Sequence, residues 1–118
     1  GKGVFTTREF KSGDFLLEYR GEIVGRKEAE ERENKYLPHH GSFMYFFQWE
    51  GKTYCNDATF SEGLGRLVND ERATKSNCHM KKIAHNNKVN LCLFAKKDIP
   101  ANTELRYDYG VSDLPWRK

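Results

Sequence analysis

With 118 residues, 37% of them hydrophobic and 31% charged, the chain carries enough apolar material for one core and too little for two. Its net charge of +3 tolerates an acidic partner without demanding one, so charge alone selects no function. Cys55, Cys78 and Cys92 are too widely spaced for C-x-x-C zinc pairs, their odd number fits a reducing compartment better than a disulfide framework, and no apolar run approaches the roughly 18 residues that span a bilayer.

Position 1 is glycine rather than methionine, so the expectation is a fragment of a longer protein, folded as a single domain over residues 1–118. Short apolar and aromatic runs bounded by turn residues predict strands over 3–7, 15–19, 43–49, 53–56, 79–83, 89–95 and 104–107. Between the first strands and the third, residues 26–36 set Lys27 with Glu31, Glu28 with Arg32 and Glu31 with Lys35 at spacing four. That pattern is a solvated helix, which by itself carries no chemistry. Glu50-Gly51 is placed for a tight hairpin, and Asn86-Asn87 for a second. Residues 64–69 predict a short helical turn with Leu64, Leu67 and Val68 inward. The expected class is mainly β, mostly antiparallel, with one or two short helices. A faint echo between Glu9-Phe10 and Asp98-Ile99, each followed by a strand and a glycine, reads as two similar turns rather than a duplication.

Near the C-terminus, Leu105-Arg106-Tyr107-Asp108-Tyr109-Gly110 alternates two tyrosines about an aspartate. In an extended strand Tyr107 and Tyr109 share a face and Asp108 points the other way. Such a pair either fills a core or lines one wall of a site.

Five segments in order, Gly1-Lys2-Gly3-Val4, Glu18-Tyr19-Arg20-Gly21-Glu22, Tyr54-Cys55-Asn56-Asp57-Ala58, Gly65-Arg66-Leu67-Val68-Asn69 and Tyr107-Asp108-Tyr109-Gly110, resemble the SET-domain protein lysine methyltransferases. The resemblance runs from Gly1 to about Trp116. FMYFFQWEGKTYCNDAT, from Phe43 to Thr59, and Pro115-Trp116 look most similar to the branch that monomethylates the tail of histone H4. This likeness implies a fold of small antiparallel sheets with a pseudoknot-like C-terminal segment passing near Asn69, a threading that general topology rules disfavour. It implies S-adenosyl-L-methionine as methyl donor, a histone tail in a nucleosome as partner, the nucleus and chromosome as location, and a monomer.

Carried over residue by residue, the resemblance casts Tyr109 as the catalytic phenol and Tyr19 and Tyr107 as walls of the lysine channel, with a tyrosine at 107 associated with stopping at one methyl. Cofactor contacts fall to Gly1, Lys2 and Gly3, to Phe43, to Asn69 and Asp70, and to Trp116 over the adenine; no metal is expected. Arg66 is expected to pair with a carboxylate inside the fold. The chemistry needs such walls: a free lysine is neutral only about once in a thousand at physiological pH, a deficit of roughly 4 kcal/mol. An apolar, aromatic channel lowers that pKa by desolvation.

Four departures stand beside the likeness. Asp70-Glu71 follows Asn69 where the family has histidine, Phe43 stands where the branch has tyrosine, the segment 70–76 is longer than the family's, and 111–115 is shorter. They leave open a weakened copy that binds cofactor or a lysine tail without efficient turnover, and a β scaffold whose tyrosines are only core. Glu22, Asp57 and Asp108 are candidates for an acidic groove facing the basic tail, and Lys81, Lys82, Lys96 and Lys97 for a weak DNA contact.

Overall fold

The structure, a computed structural model, describes residues 3–36, 43–86 and 88–109. Strands β1 (Phe15–Glu18), β7 (Lys88–Ala95) and β6 (Cys78–His85) form one antiparallel sheet in the order β1-β7-β6. Strands β2 (Glu22–Gly25), β4 (Lys52–Asp57) and β3 (Met44–Trp49) form a second antiparallel sheet in the order β2-β4-β3. The third sheet joins two residues of β5 (Asn69–Asp70) in parallel to two of β8 (Arg106–Tyr107).

The alternation that predicts the long strands is visible as burial. Along β7 the side chains of Leu91, Leu93 and Ala95 are buried while those between are half-buried, the period of two that a pleated strand imposes. Glu50 and Gly51, at φ of 50° and 78°, make the two-residue turn between β3 and β4, whose twist suits a hairpin. Asn86, at φ 51°, begins the expected β6–β7 turn, and Asn87 lies outside the described residues.

Three expectations change. The strand over 3–7 is reduced to a bridge between Phe5 and Glu104. The helical turn is shorter, Gly65–Leu67, and Leu64 is 57% exposed rather than inward, because Gly65 presses against Tyr19 and turns its neighbour to solvent. Strand β2 had no counterpart in the sequence reading; Val24 is its one buried residue, so no alternation stands out.

Helix α1 (Arg26–Tyr36) buries only Ala29, which packs with Val24 and Cys55. Arg32 pairs with Glu28 one turn back at 2.5 Å, as the spacing predicts. It also reaches Glu22 at 2.8 Å and the buried Asp57 at 3.1 Å, and Asp57 accepts the Tyr36 hydroxyl at 2.6 Å. Burial raises the Asp57 carboxyl, but the bonds from Tyr36, Thr59 and Arg32 outweigh it and hold it below the ordinary aspartate value. Glu22 and Asp57 therefore tie the helix to the second sheet through Arg32.

The main core gathers Val68, Cys78, Leu93, Ala95, Ile99, Leu105 and Tyr107. A second cluster holds Tyr19, Phe47, Ala58 and Leu91. Tyr45 packs against both, and the aromatic seam it forms is where the candidate site lies.

Candidate active site

Tyr19, immediately after β1, is fixed through its backbone: its N–H donates to the Leu91 carbonyl at 2.8 Å, and its carbonyl accepts the Asn56 side-chain amide at 2.8 Å. Gly65 lies so close behind it that a Cβ there would stand 2.6 Å from the Tyr19 Cα. Its ring is 5.7 Å from that of Tyr45; the Tyr45 ring is 6.2 Å from Tyr107, and Tyr107 is 4.9 Å from Tyr109. Four phenols from three separate parts of the chain thus form one continuous wall. Tyr107 and Tyr109 lie side by side, as their alternation predicts.

Sequence reasoning missed Tyr45. The usable signal was β3 itself, where Tyr45, Phe47 and Trp49 fall on the buried side and Phe46 and Gln48 are exposed.

Burial raises all four phenols above their ordinary value of 10.0. Tyr109 rises to about 12 through burial first and the charge of Asp70 second. Tyr45 is raised by burial and then by Asp108. Around neutral pH the wall is uncharged, four hydroxyls and no phenolate. A wall of that kind disfavours an ammonium beside it and favours the neutral amine.

The other end of the site is built by Val68, Asn69 and Asp70. The Tyr109 hydroxyl donates a short hydrogen bond to the Val68 carbonyl. The Asn69 amide donates to Glu104 at 2.7 Å, and Glu104 also accepts Arg106 at 2.9 Å. Gly3, at φ +76°, fits against this pair only because it lacks a side chain: a Cβ would meet Glu104 Oε2 at 2.6 Å and Asn69 Nδ2 at 3.3 Å. Asp70, 4% exposed, turns its carboxylate to the Tyr109 backbone, accepting that N–H at 2.8 Å.

Burial raises the Glu104 carboxyl, and the bonds from Asn69 and Arg106 overcome that and hold it below its ordinary value of 4.5. A depressed folded pKa contributes stability that is present above the unfolded value and lost as pH falls through the folded one. Glu104→Gln is therefore expected to lower stability by about 1 kcal/mol near neutral pH, with the gap to wild type closing in acid below pH 4.5. Thermal melts of both proteins across that range check it; a gap unchanged in acid would refute it.

Phe43 meets the Arg66 guanidinium at 4.6 Å from its ring centroid, and Arg66 donates to the Thr59 carbonyl at 3.2 Å. The internal role expected of Arg66 is therefore met by a ring and a carbonyl rather than by a carboxylate. Gly1, Lys2 and Trp116 lie outside the described residues. The expected site residues thus fall into an aromatic wall of Tyr19, Tyr107 and Tyr109, a glycine–amide corner of Gly3 and Asn69, Asp70 behind Tyr109, and Phe43 stacked on Arg66.

A family model described as SET domain matches residues 1–110. N-lysine methyltransferase KMT5A of Xenopus tropicalis is 44% identical over 127 aligned positions, covering 100% of this chain and 37% of the relative. Histone-lysine N-methyltransferase Set8 of Drosophila melanogaster is 42% identical over 113 positions, covering 93% of this chain and 16% of the relative. Among solved structures, the crystal structure of CpSET8 from Cryptosporidium is similar at a TM-score of 0.80 and 38% identity, covering 87% of this chain and 50% of that one. The chain spans well under half the length of these curated relatives. The similarity carries the fold, small and mostly antiparallel sheets with one short helix.

Proposed function

Because the chain belongs to the SET-domain family, we propose that it transfers a methyl group from S-adenosyl-L-methionine to a lysine side chain of a histone tail, that of histone H4, one methyl per lysine. The observation that carries this reading is the wall of Tyr19, Tyr45, Tyr107 and Tyr109, its neighbouring rings 4.9 to 6.2 Å apart.

The donor supplies a methyl group on a sulfonium; the protein's task is to deliver a neutral amine in line with it. Tyr19 and Tyr107, both nearly fully buried, bound the lysine channel and shift the incoming ammonium toward the amine by desolvation. Tyr109 is the phenol at the reacting centre. Its proton is committed to the Val68 carbonyl, so its oxygen keeps lone pairs for weak C–H···O contacts with the methyl being moved. Gly3 and Asn69 lie together, with Glu104 packed between them, and the donor would approach the backbone of Gly3, a residue with no side chain to obstruct it. Lys2 would meet the donor's carboxylate and Trp116 its adenine, with Phe43 beside them; Asp70, nearly fully buried against the Tyr109 backbone, is not assigned to the donor.

A histone substrate implies work in the nucleus on the chromosome, as a monomer on a nucleosomal tail. The lysines considered for DNA are partly engaged elsewhere: Lys82 donates to the Gln48 carbonyl and Lys96 to the Ala73 carbonyl, so a DNA contact forms no part of the proposal.

Incubation with S-adenosyl-L-methionine and a histone H4 tail peptide, followed by mass spectrometry, tests the reading. One added methyl is expected. Measurable donor binding with no added methyl at high protein concentration would overturn it in favour of a binding module. Tyr107→Phe, which removes a hydroxyl from the channel without changing its shape, is expected to let a second methyl accumulate; a product that stays monomethylated would refute the role given to that hydroxyl.

A further inference from the structure

We propose that Asp70 is a positioning residue for the Tyr109 phenol, its buried carboxylate extending the β5–β8 ladder by one rung so that Tyr109 is held at both its backbone and its hydroxyl. The inference rests on the reading of Tyr109 as the phenol at the reacting centre.

The geometry behind it is local and specific. The parallel pairing of β5 and β8 ends at Asp70 opposite Tyr107. Glu71 donates its N–H to the Tyr107 carbonyl at 3.0 Å, and among the described residues the β5–β8 strand pairing goes no further. The next inward residue is Tyr109, and its N–H points back at Asp70 Oδ1, 2.8 Å away. A side chain thus does what the next residue of a strand would do. Two residues earlier on the same segment, the Val68 carbonyl takes the Tyr109 hydroxyl. Val68–Asp70 therefore grips Tyr109 at two points, across 41 and 39 residues of sequence. With the amide and the hydroxyl both fixed, the ring has no freedom to swing, and an error of about 1 Å in a reacting group can cost on the order of 100-fold in rate.

Burial explains why the residue type matters. Asp70 is 4% exposed, so its carboxylate must be matched by donors within the fold, and a backbone N–H is a charge-assisted partner. Its negative charge beside the phenol also favours the protonated hydroxyl, the form that can donate to Val68.

The test compares Asp70→Asn, which keeps an oxygen acceptor of the same reach, with Asp70→Ala, which keeps none. In Asp70→Ala, kcat is expected to fall about tenfold while KM for S-adenosyl-L-methionine and for the peptide stays within about twofold; Asp70→Asn is expected to recover most of that loss. Amide hydrogen exchange supplies a readout independent of turnover: the Tyr109 N–H is protected in the wild type and in Asp70→Asn, and exposed in Asp70→Ala. Should Asp70→Ala fail to fold, Asp70→Ser, too short to reach the amide, carries the same expectation. Wild-type kcat in Asp70→Ala, equal losses in Asp70→Asn and Asp70→Ala, or an unprotected Tyr109 amide in the wild type would each overturn the proposal. A wild-type protein that adds no methyl defeats the functional reading instead, and the exchange measurement still reports on the bond.

Discussion

Tyr109→Phe is expected to lower kcat for methyl transfer by about 100-fold or more while leaving the affinity for S-adenosyl-L-methionine within about threefold. The phenol ring packs against the main core, and phenylalanine preserves that contact, so the fold survives and the loss falls on the step that uses the oxygen. Removing the hydroxyl strips the short bond to the Val68 carbonyl and the acceptor beside the methyl. Single-turnover methylation followed by mass spectrometry, with calorimetric titration of the donor, separates the two quantities. Unchanged kcat would mean the tyrosines are core and nothing more. A fall in donor affinity that matched the fall in kcat would assign Tyr109 to binding rather than to the reacting centre.

Gly65→Ala is expected to be the most destabilising of these substitutions, at about 2 to 3 kcal/mol, or roughly a 10 °C drop in Tm for a domain of this size. The added Cβ would lie 2.6 Å from the Tyr19 Cα and 3.0 Å from the Glu18 carbonyl. Both are backbone atoms, so no side chain can rotate out of the way. Relief requires the turn at Gly65–Leu67 to move away from β1, and Tyr19 sits at that junction, between the Leu91 carbonyl and the Asn56 amide. The same change is therefore expected to loosen the aromatic wall and reduce turnover beyond the stability loss. Thermal melting checks the first effect, and turnover measured well below the lowered Tm checks the second. A variant with wild-type Tm would show that the turn yields freely.

Much of this protein can be read from local pattern, because strands and tight turns leave periodic traces. The alternation in β7, the hairpin at Glu50 and Gly51, and the shared face of Tyr107 and Tyr109 all follow from a period of two and from positive φ at a turn. The spaced charges of α1 are equally plain, yet their partners are not: that Arg32 pairs with Glu22 and the buried Asp57 depends on where the helix lands on the second sheet. Strand β5 is two residues long, too short to show any period. Tyr45 looked like one aromatic among several until β3 carried it between the two cores.

The order of the motifs alone determined the family, the mainly β class and the residue types available for chemistry, since these are properties of single segments. Only the tertiary structure decided which phenols share a wall, which carboxylates Arg32 holds and what Asp70 faces. Those outcomes join residues far apart in sequence, such as Tyr45 and Tyr107, and the packing that brings them together is set by the whole core at once, which no one segment encodes.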